Sequence, residues 1–95
     1  MVISEDIYAM LLTHNFFKQF TTKDIADANK TTEVLVCLSA ESRQGVDQLV
    51  DKAMAAGARA MRDPQDYGFM YGRSFQDPDG HIWEIMWMDP AHVQK

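Results

Sequence analysis

Tyr71-Gly-Arg-Ser-Phe-Gln-Asp-Pro-Asp-Gly-His-Ile-Trp-Glu-Ile-Met-Trp-Met-Asp89 is the stretch on which the fold turns. It reads as two strands joined by a tight turn at Asp77-Pro78-Asp79-Gly80, because proline presets φ early in a turn and glycine takes a positive φ cheaply. From His81 to Met88 nearly every residue is apolar or aromatic, which predicts a strand covered on both faces. Glu84 interrupts that run. A carboxylate there must be paired, protonated or metal-bound, since burying it alone costs roughly several kcal/mol.

Reading backwards from the hairpin, Arg62 to Gly68 is a loop rich in turn formers, and Ala58 to Met61 is a short strand candidate. Before them Ser42 offers a helix N-cap. Val46, Leu49, Val50, Ala53 and Met54 follow at helical spacing, and Gly57 supplies the stop. The apolar stripe is expected to pack on a sheet, leaving Asp47, Gln48, Asp51 and Lys52 in water. Thr32 to Ser39 is a second strand, again apolar enough to predict burial on both faces. The order from Thr32 onward is therefore strand, helix, strand, strand, strand.

The N-terminal third is less regular. Ile7 to Thr13 is a strand candidate behind a turn-like Ser4-Glu5-Asp6, so residues 1–14 read as a hairpin. Residues 15–31 form a connector in which Phe16, Phe17 and Phe20 cluster, either as a lid over a ligand or, the favoured reading, as a plug on the core. Ile7 to Leu12 also echoes Ile82 to Trp87, with Ala9 standing where the later copy has Glu84.

The chain has 95 residues, enough for one compact domain whose core a second subunit could help complete. Its 46% hydrophobic and 24% charged residues are ordinary for a soluble protein, with no run long enough to cross a bilayer. A net charge of -5 with scattered Lys and Arg argues against a nucleic-acid partner. Nothing at the N-terminus resembles a secretion signal, so a cytoplasmic address is expected. Cys37 is the only cysteine and lies in an apolar run, which points to a small core residue.

Asp-Pro-Asp-Gly-His-Ile-Trp-Glu-Ile, from Asp77 to Ile85, resembles the closing hairpin of the vicinal oxygen chelate superfamily, which includes glyoxalases, bleomycin-resistance proteins and extradiol dioxygenases. Phe69 to Phe75 and the strand-helix-strand-strand-strand order look like that family's second module, and the resemblance runs from about Ile7 to Pro90. It implies an α+β fold: one complete βαβββ module over 32–90 plus a remnant hairpin of another, within a half-open barrel. The family's opening strand, helix and second strand have no counterpart before Met1, and such exposed sheet edges predict a homodimer.

The resemblance places a last-strand metal ligand and catalytic carboxylate on Glu84. A first-strand ligand falls near Glu33 or Thr32, and the matching position of the other module falls on Ala9, which has no donor. It implies a lyase, isomerase or dioxygenase relative in which a divalent zinc, nickel, manganese or iron ion polarises oxygens of a small molecule, the carboxylate also moving a proton. The other reading is a metal-free small-molecule-binding protein of the bleomycin-resistance kind. Tyr71, Arg73, Trp83 and Trp87 are candidate substrate-binding residues; Tyr67 could join them, although aromatics fill cores first.

The alternative to a ligand role for Glu84 is a partner across the hairpin. A four-residue loop puts Arg73 opposite it and a three-residue loop puts Ser74 there, so the register decides. His81 flanks the turn and is expected as a hydrogen-bonding edge residue. His14 and His92 have no second histidine at ligand spacing and are expected on the surface.

Overall fold

A computed structural model describes residues 1–93, with the side chains of 1–91. Eight elements follow one another: α1 (His14–Phe17), β1 (Leu35–Ser39), α2 (Arg43–Ala55), β2 (Arg59–Ala60), β3 (Gln65–Asp66), β4 (Met70–Gln76), β5 (Ile82–Met88) and α3 (Pro90–Val93). From Leu35 onward this is the strand-helix-strand-strand-strand order that the sequence predicts, with the third element split into β2 and β3. The fold is α+β, a single open five-stranded sheet in the order β1-β5-β4-β2, with β3 also on β4 and α2 across one face.

The helix is set by its ends. Ser42 Oγ accepts the Gly45 N–H at 2.9 Å, satisfying one of the free donors of the first turn. At the other end Gly57 takes φ 113°. Its N–H donates to Met54 O while the Ala58 N–H donates to Ala53 O, a Schellman closure that needs the left-handed residue. Between the caps the apolar stripe buries Val46 and Val50 completely against Phe75 and Ile85 of the sheet. Each such side chain contributes about 1.5–3 kcal/mol.

The hairpin of β4 and β5 is the frame. Asp77 N–H donates to His81 O, which leaves Pro78, Asp79 and Gly80 as the loop, the shorter of the two possibilities. The register therefore sets Ser74 opposite Glu84 and Arg73 opposite Ile85. Asp77 holds the turn with its carboxylate, which accepts the N–H groups of Asp79 and His81 and the indole N–H of Trp83, each at 2.9 Å.

Burial on both faces is not what β1 and β5 achieve. β1 pairs in parallel with β5 on one side only, and its burial alternates, with Val36 and Leu38 half-buried and Leu35, Cys37 and Ser39 exposed. Only one face of the sheet carries a helix, so an apolar run on an edge strand leaves every second side chain open. Cys37 is thus exposed rather than a core residue, for the same reason.

The N-terminal third departs further from expectation. The turn at Ser4-Glu5-Asp6 forms, closed by a single Val2–Tyr8 bridge and by the Met1 amine donating to Ala9 O at 2.8 Å. Ile7 to Thr13 does not become a strand, because among the described residues no neighbouring strand pairs with it; Ile7, Tyr8, Met10 and Leu11 stay exposed. Phe16, Phe17 and Phe20 do not plug the core either. All three are exposed, and Phe16 meets Phe20 edge to face at 5.5 Å between ring centroids. A radius of gyration of 15.3 Å exceeds the ~12 Å of a compact domain this size. At the C-terminus, Pro90–Val93 forms a helical turn, and residues 94 and 95 lie outside the described residues.

Candidate functional site on the open sheet face

Strand alternation sorts the side chains into two sets. Tyr71, Arg73 and Phe75 of β4, with Trp83, Ile85 and Trp87 of β5, face α2. Met70, Gly72, Ser74 and Gln76, with Ile82, Glu84, Met86 and Met88, take the other face. Cys37 joins them, since it is the β1 register partner of Glu84. Among the described residues α2 is the helix packed on the sheet and it lies on the first face, so the second is left open, and Glu84 sits at its centre on a strand paired on both sides.

The partner of Glu84 is neither residue considered across the hairpin. Arg62 Nη2 donates to Glu84 Oε1 at 2.9 Å, with the carboxylate side chain 17% and the guanidinium 54% exposed. Arg62 reaches it from an interruption in the sheet. Ala60 pairs with Phe75 and Gln65 pairs with Gly72, so residues 61 to 64 lie opposite only Arg73 and Ser74. The surplus backbone leaves the ladder, and Pro64, lacking an N–H, suits such a bulge. Arg73, meanwhile, is turned to α2, where its Nη1 donates to Asp47 at 3.0 Å and Asp51 at 2.9 Å.

Ser74 shares the Glu84 face and is only 6% exposed, yet among the described residues its hydroxyl has no hydrogen-bond partner. A buried hydroxyl left unpaired costs about 1–3 kcal/mol, so this group stands ready for one. Arg62, Gln65, Ser74, Glu84 and Met86 line a cleft with about 10 Å³ of free space, room for about one water. Met86 lies across Gly72, its Cγ 3.2 Å from where a Cβ at that position would stand, so any larger residue would push Met86 aside by a few tenths of an ångström. Desolvation against the sheet, then the nearby Glu84 charge, push the Cys37 thiol upward in pKa, keeping it protonated.

The other candidates lie elsewhere. Tyr71, Arg73, Trp83 and Trp87 share one face with each other, but the structure brings none of them beside Glu84. The Tyr71 hydroxyl donates to Asp47 at 2.7 Å, and the Trp83 indole is tied to Asp77. Arg43 packs over the rings of Tyr71 and Trp87 at 5.1 and 5.4 Å while forking onto Asp66. That fork and the Gly68 N–H hold the Asp66 carboxyl down at about 2. Asp47, expected in water, is half-buried and bonded to Tyr71 and Arg73; those bonds hold its carboxyl below the usual range. Tyr67 is exposed beside Phe69.

Glu33 is exposed in a groove with Thr31, Thr32 and His81. The residue opposite Glu84 on the first strand is Cys37, and Glu33 lies about 13 Å further along a strand direction of ~3.3 Å per residue. Ala9 belongs to the N-terminal turn. His81 is exposed at the turn, as an edge residue should be, and His14 is exposed in α1. The side chain of His92 lies outside the described ones. Among the described residues no three His, Cys, Asp or Glu side chains gather to hold a metal ion. The donors of this chain near Glu84 are its own carboxylate, engaged by Arg62, the Asp63 carboxylate of the same cleft and the Cys37 thiol on the neighbouring strand; they do not gather into the set of three or more ligands that a metal shell needs.

Arg62 is the residue that reading the sequence missed. Its signal was the Pro64 that breaks pairing two residues later, on the strand flanking the hairpin.

An open βαβββ sheet with a carboxylate at the middle of its last strand defines a class of module. The profile of the Glyoxalase/Bleomycin resistance protein/Dioxygenase superfamily matches residues 15–85, and the chain belongs to that superfamily. Among solved structures it is similar to a hypothetical protein from S. aureus, at 27% identity and a TM-score of 0.64, with 78% of this chain and 56% of that one covered. A glyoxalase/bleomycin resistance protein/dioxygenase family enzyme from Burkholderia phytofirmans PsJN shares the fold at 20% identity and TM-score 0.58, over 79% of this chain and 57% of that one. A glyoxalase/bleomycin resistance protein/dioxygenase from Nocardioides shares it at 20% identity and TM-score 0.59, over 81% and 52%. The chain thus spans little more than half the length of these proteins. No curated protein matches it. Among the described residues no helix is long and apolar enough to cross a membrane.

Proposed function

We propose that this chain is a small-molecule-binding module whose site is the open sheet face centred on Glu84, Arg62 and Ser74. The observation that carries the reading is the orphaned, buried Ser74 hydroxyl beside a half-buried ion pair, on a face that no helix covers. A hydroxyl, a carboxylate and a guanidinium together recognise an oxygen-rich polar molecule by hydrogen bonds, while Met70 and Met86 offer apolar contact to its carbon skeleton. The cleft itself admits about one water, so the body of such a molecule lies along the uncovered sheet face rather than inside the cleft.

A divalent-metal lyase, isomerase or dioxygenase is the second reading, and it rests on membership of the superfamily alone. A metal at Glu84 needs further donors from outside the described residues. A second copy of the chain suits both readings. Leu35 on the open edge of β1 and Val2, Ile7, Tyr8, Met10, Leu11 and Phe20 are large apolar side chains left exposed, which a second copy would cover.

The test is a thermal-shift screen of small hydroxy and oxo acids, thiol conjugates and their amides, on wild type, Glu84→Gln and Ser74→Ala. A binder raises Tm in wild type and loses that rise in both variants. A binder whose shift survives in both places the site elsewhere and sinks the reading.

A further inference from the structure

We infer that the groove between the connector and the hairpin turn is a second small-molecule site and that it takes a small primary alkylammonium, with Glu33 and Thr32 holding the charged head and Ala28, Val34 and Ile82 receiving the carbon stem. The groove has about 110 Å³ of free space against about 10 Å³ in the cleft at Glu84, and the two share no lining residue. A cavity of about 150 Å³ takes up benzene, so this groove has room for about five non-hydrogen atoms. The inference does not rest on the reading of the Glu84 face.

Both walls are held in place by the protein itself. On the connector side Asp27 O accepts the N–H groups of Lys30 and Thr31 at 3.0 Å each, and Asp27 Oδ1 accepts that of Asn29 at 3.0 Å. On the other side the Asp77 carboxylate ties the turn through the N–H groups of Asp79 and His81. The walls meet at Gly80, where a Cβ would stand 2.9 Å from Ala28 C. A groove shaped in advance spares a ligand the cost of ordering it.

Glu33 sets the sign of the ligand's charge. The side-chain ion pairs among the described residues engage Lys18, Arg43, Arg62 and Arg73, and none of them involves Glu33. An ammonium brings three donors and no acceptor, which suits a carboxylate and the Thr32 hydroxyl; the His81 imidazole on the same lining adds an acceptor nitrogen when neutral. Glu33 is exposed, and an exposed carboxylate holds a bare cation weakly. The apolar lining therefore has to contribute, and each methylene buried against it tightens binding by up to about fourfold.

The test is a titration of the nitrogen-15-labelled protein with butylammonium, methylammonium and butyrate at matched ionic strength, read from amide shifts by NMR. Butylammonium is expected to give saturable shifts clustered at Thr31 to Val34 and Gly80 to Ile82, with a Kd about tenfold or more below that of methylammonium, while butyrate moves none of these amides. Glu33→Gln should weaken butylammonium about tenfold, since it removes a charge-assisted hydrogen bond. Shifts that do not saturate, that cluster outside the groove, or that butyrate reproduces overturn the inference. Equal affinity for the methyl and butyl cations, or an unchanged Kd in Glu33→Gln, overturns it as well. Should Glu33→Gln fail to fold, wild type decides through its preference for butylammonium over both methylammonium and butyrate.

Discussion

Gly80→Ala should destabilise the protein far more than the same change at Gly68, although both glycines adopt positive φ. Gly80 has φ 96° and Gly68 φ 83°, so an L side chain strains either backbone, at a cost of about 1–2 kcal/mol. Both substitutions also stiffen the unfolded chain, which returns about 0.4–1 kcal/mol in each case. The difference lies in what the new methyl meets. At Gly68 nothing lies within 4 Å, whereas at Gly80 the Cβ would stand 2.8 Å from Asn29 Oδ1, 2.9 Å from Ala28 C and 3.0 Å from Ala28 O. A side-chain oxygen can rotate away, but the Ala28 peptide can move only by lifting the connector off the hairpin turn. Overpacking of this kind costs about 1–3 kcal/mol beyond the strain. With a urea slope of about 1–1.5 kcal/mol/M for a chain of this size, the midpoint of Gly80→Ala should fall about 0.7–3 M below that of Gly68→Ala. Trp83 and Trp87 on β5 provide the fluorescence readout. Gly80→Ala/Asn29→Ala should recover little, because the Ala28 backbone remains. Equal midpoints for the two glycine variants would refute the close approach of connector and turn, and full recovery in the double variant would show that Asn29 alone causes the clash.

Asp77→Ala removes the acceptor of the Asp79, His81 and Trp83 N–H groups and should cost about 2–4 kcal/mol. Asp77→Asn, which keeps one oxygen, should cost less, and a denaturation midpoint unchanged in Asp77→Ala would deny the carboxylate its role. The Tyr71 phenol is raised above its ordinary value of 10.0, first by its hydrogen bond to Asp47 and then by burial. A raised folded value means that its stabilisation is fully present below pH 10 and is lost as pH rises through the folded value. Ultraviolet titration of tyrosinate should therefore show one late-titrating tyrosine that moves earlier in Asp47→Asn; a curve identical in the two proteins would remove the Asp47 contact.

The hairpin, its turn, the helix with both its caps, and hence the family were legible in the chain because each rests on local chemistry. Proline and glycine set φ, Ser42 offers an oxygen to the first turn, and spacing places Val46 and Val50 on one stripe. That Glu84 needed a partner was legible too, since a carboxylate in an apolar strand is expensive wherever the strand ends up.

Which partner it has was decided by tertiary structure. One residue of register moves a whole strand's side chains to the other face, so the choice of loop alone sent Arg73 to the helix and left Ser74 beside Glu84. The bulge that delivers Arg62 depends on the pairing of β2 and β3 with β4, a relation that no local pattern encodes. The same holds for the apolar runs of β1 and of Ile7 to Thr13. Their composition marks them for burial, but burial requires a neighbour, and only the three-dimensional arrangement determines that β1 is an edge strand and that the N-terminal run has no strand beside it among the described residues.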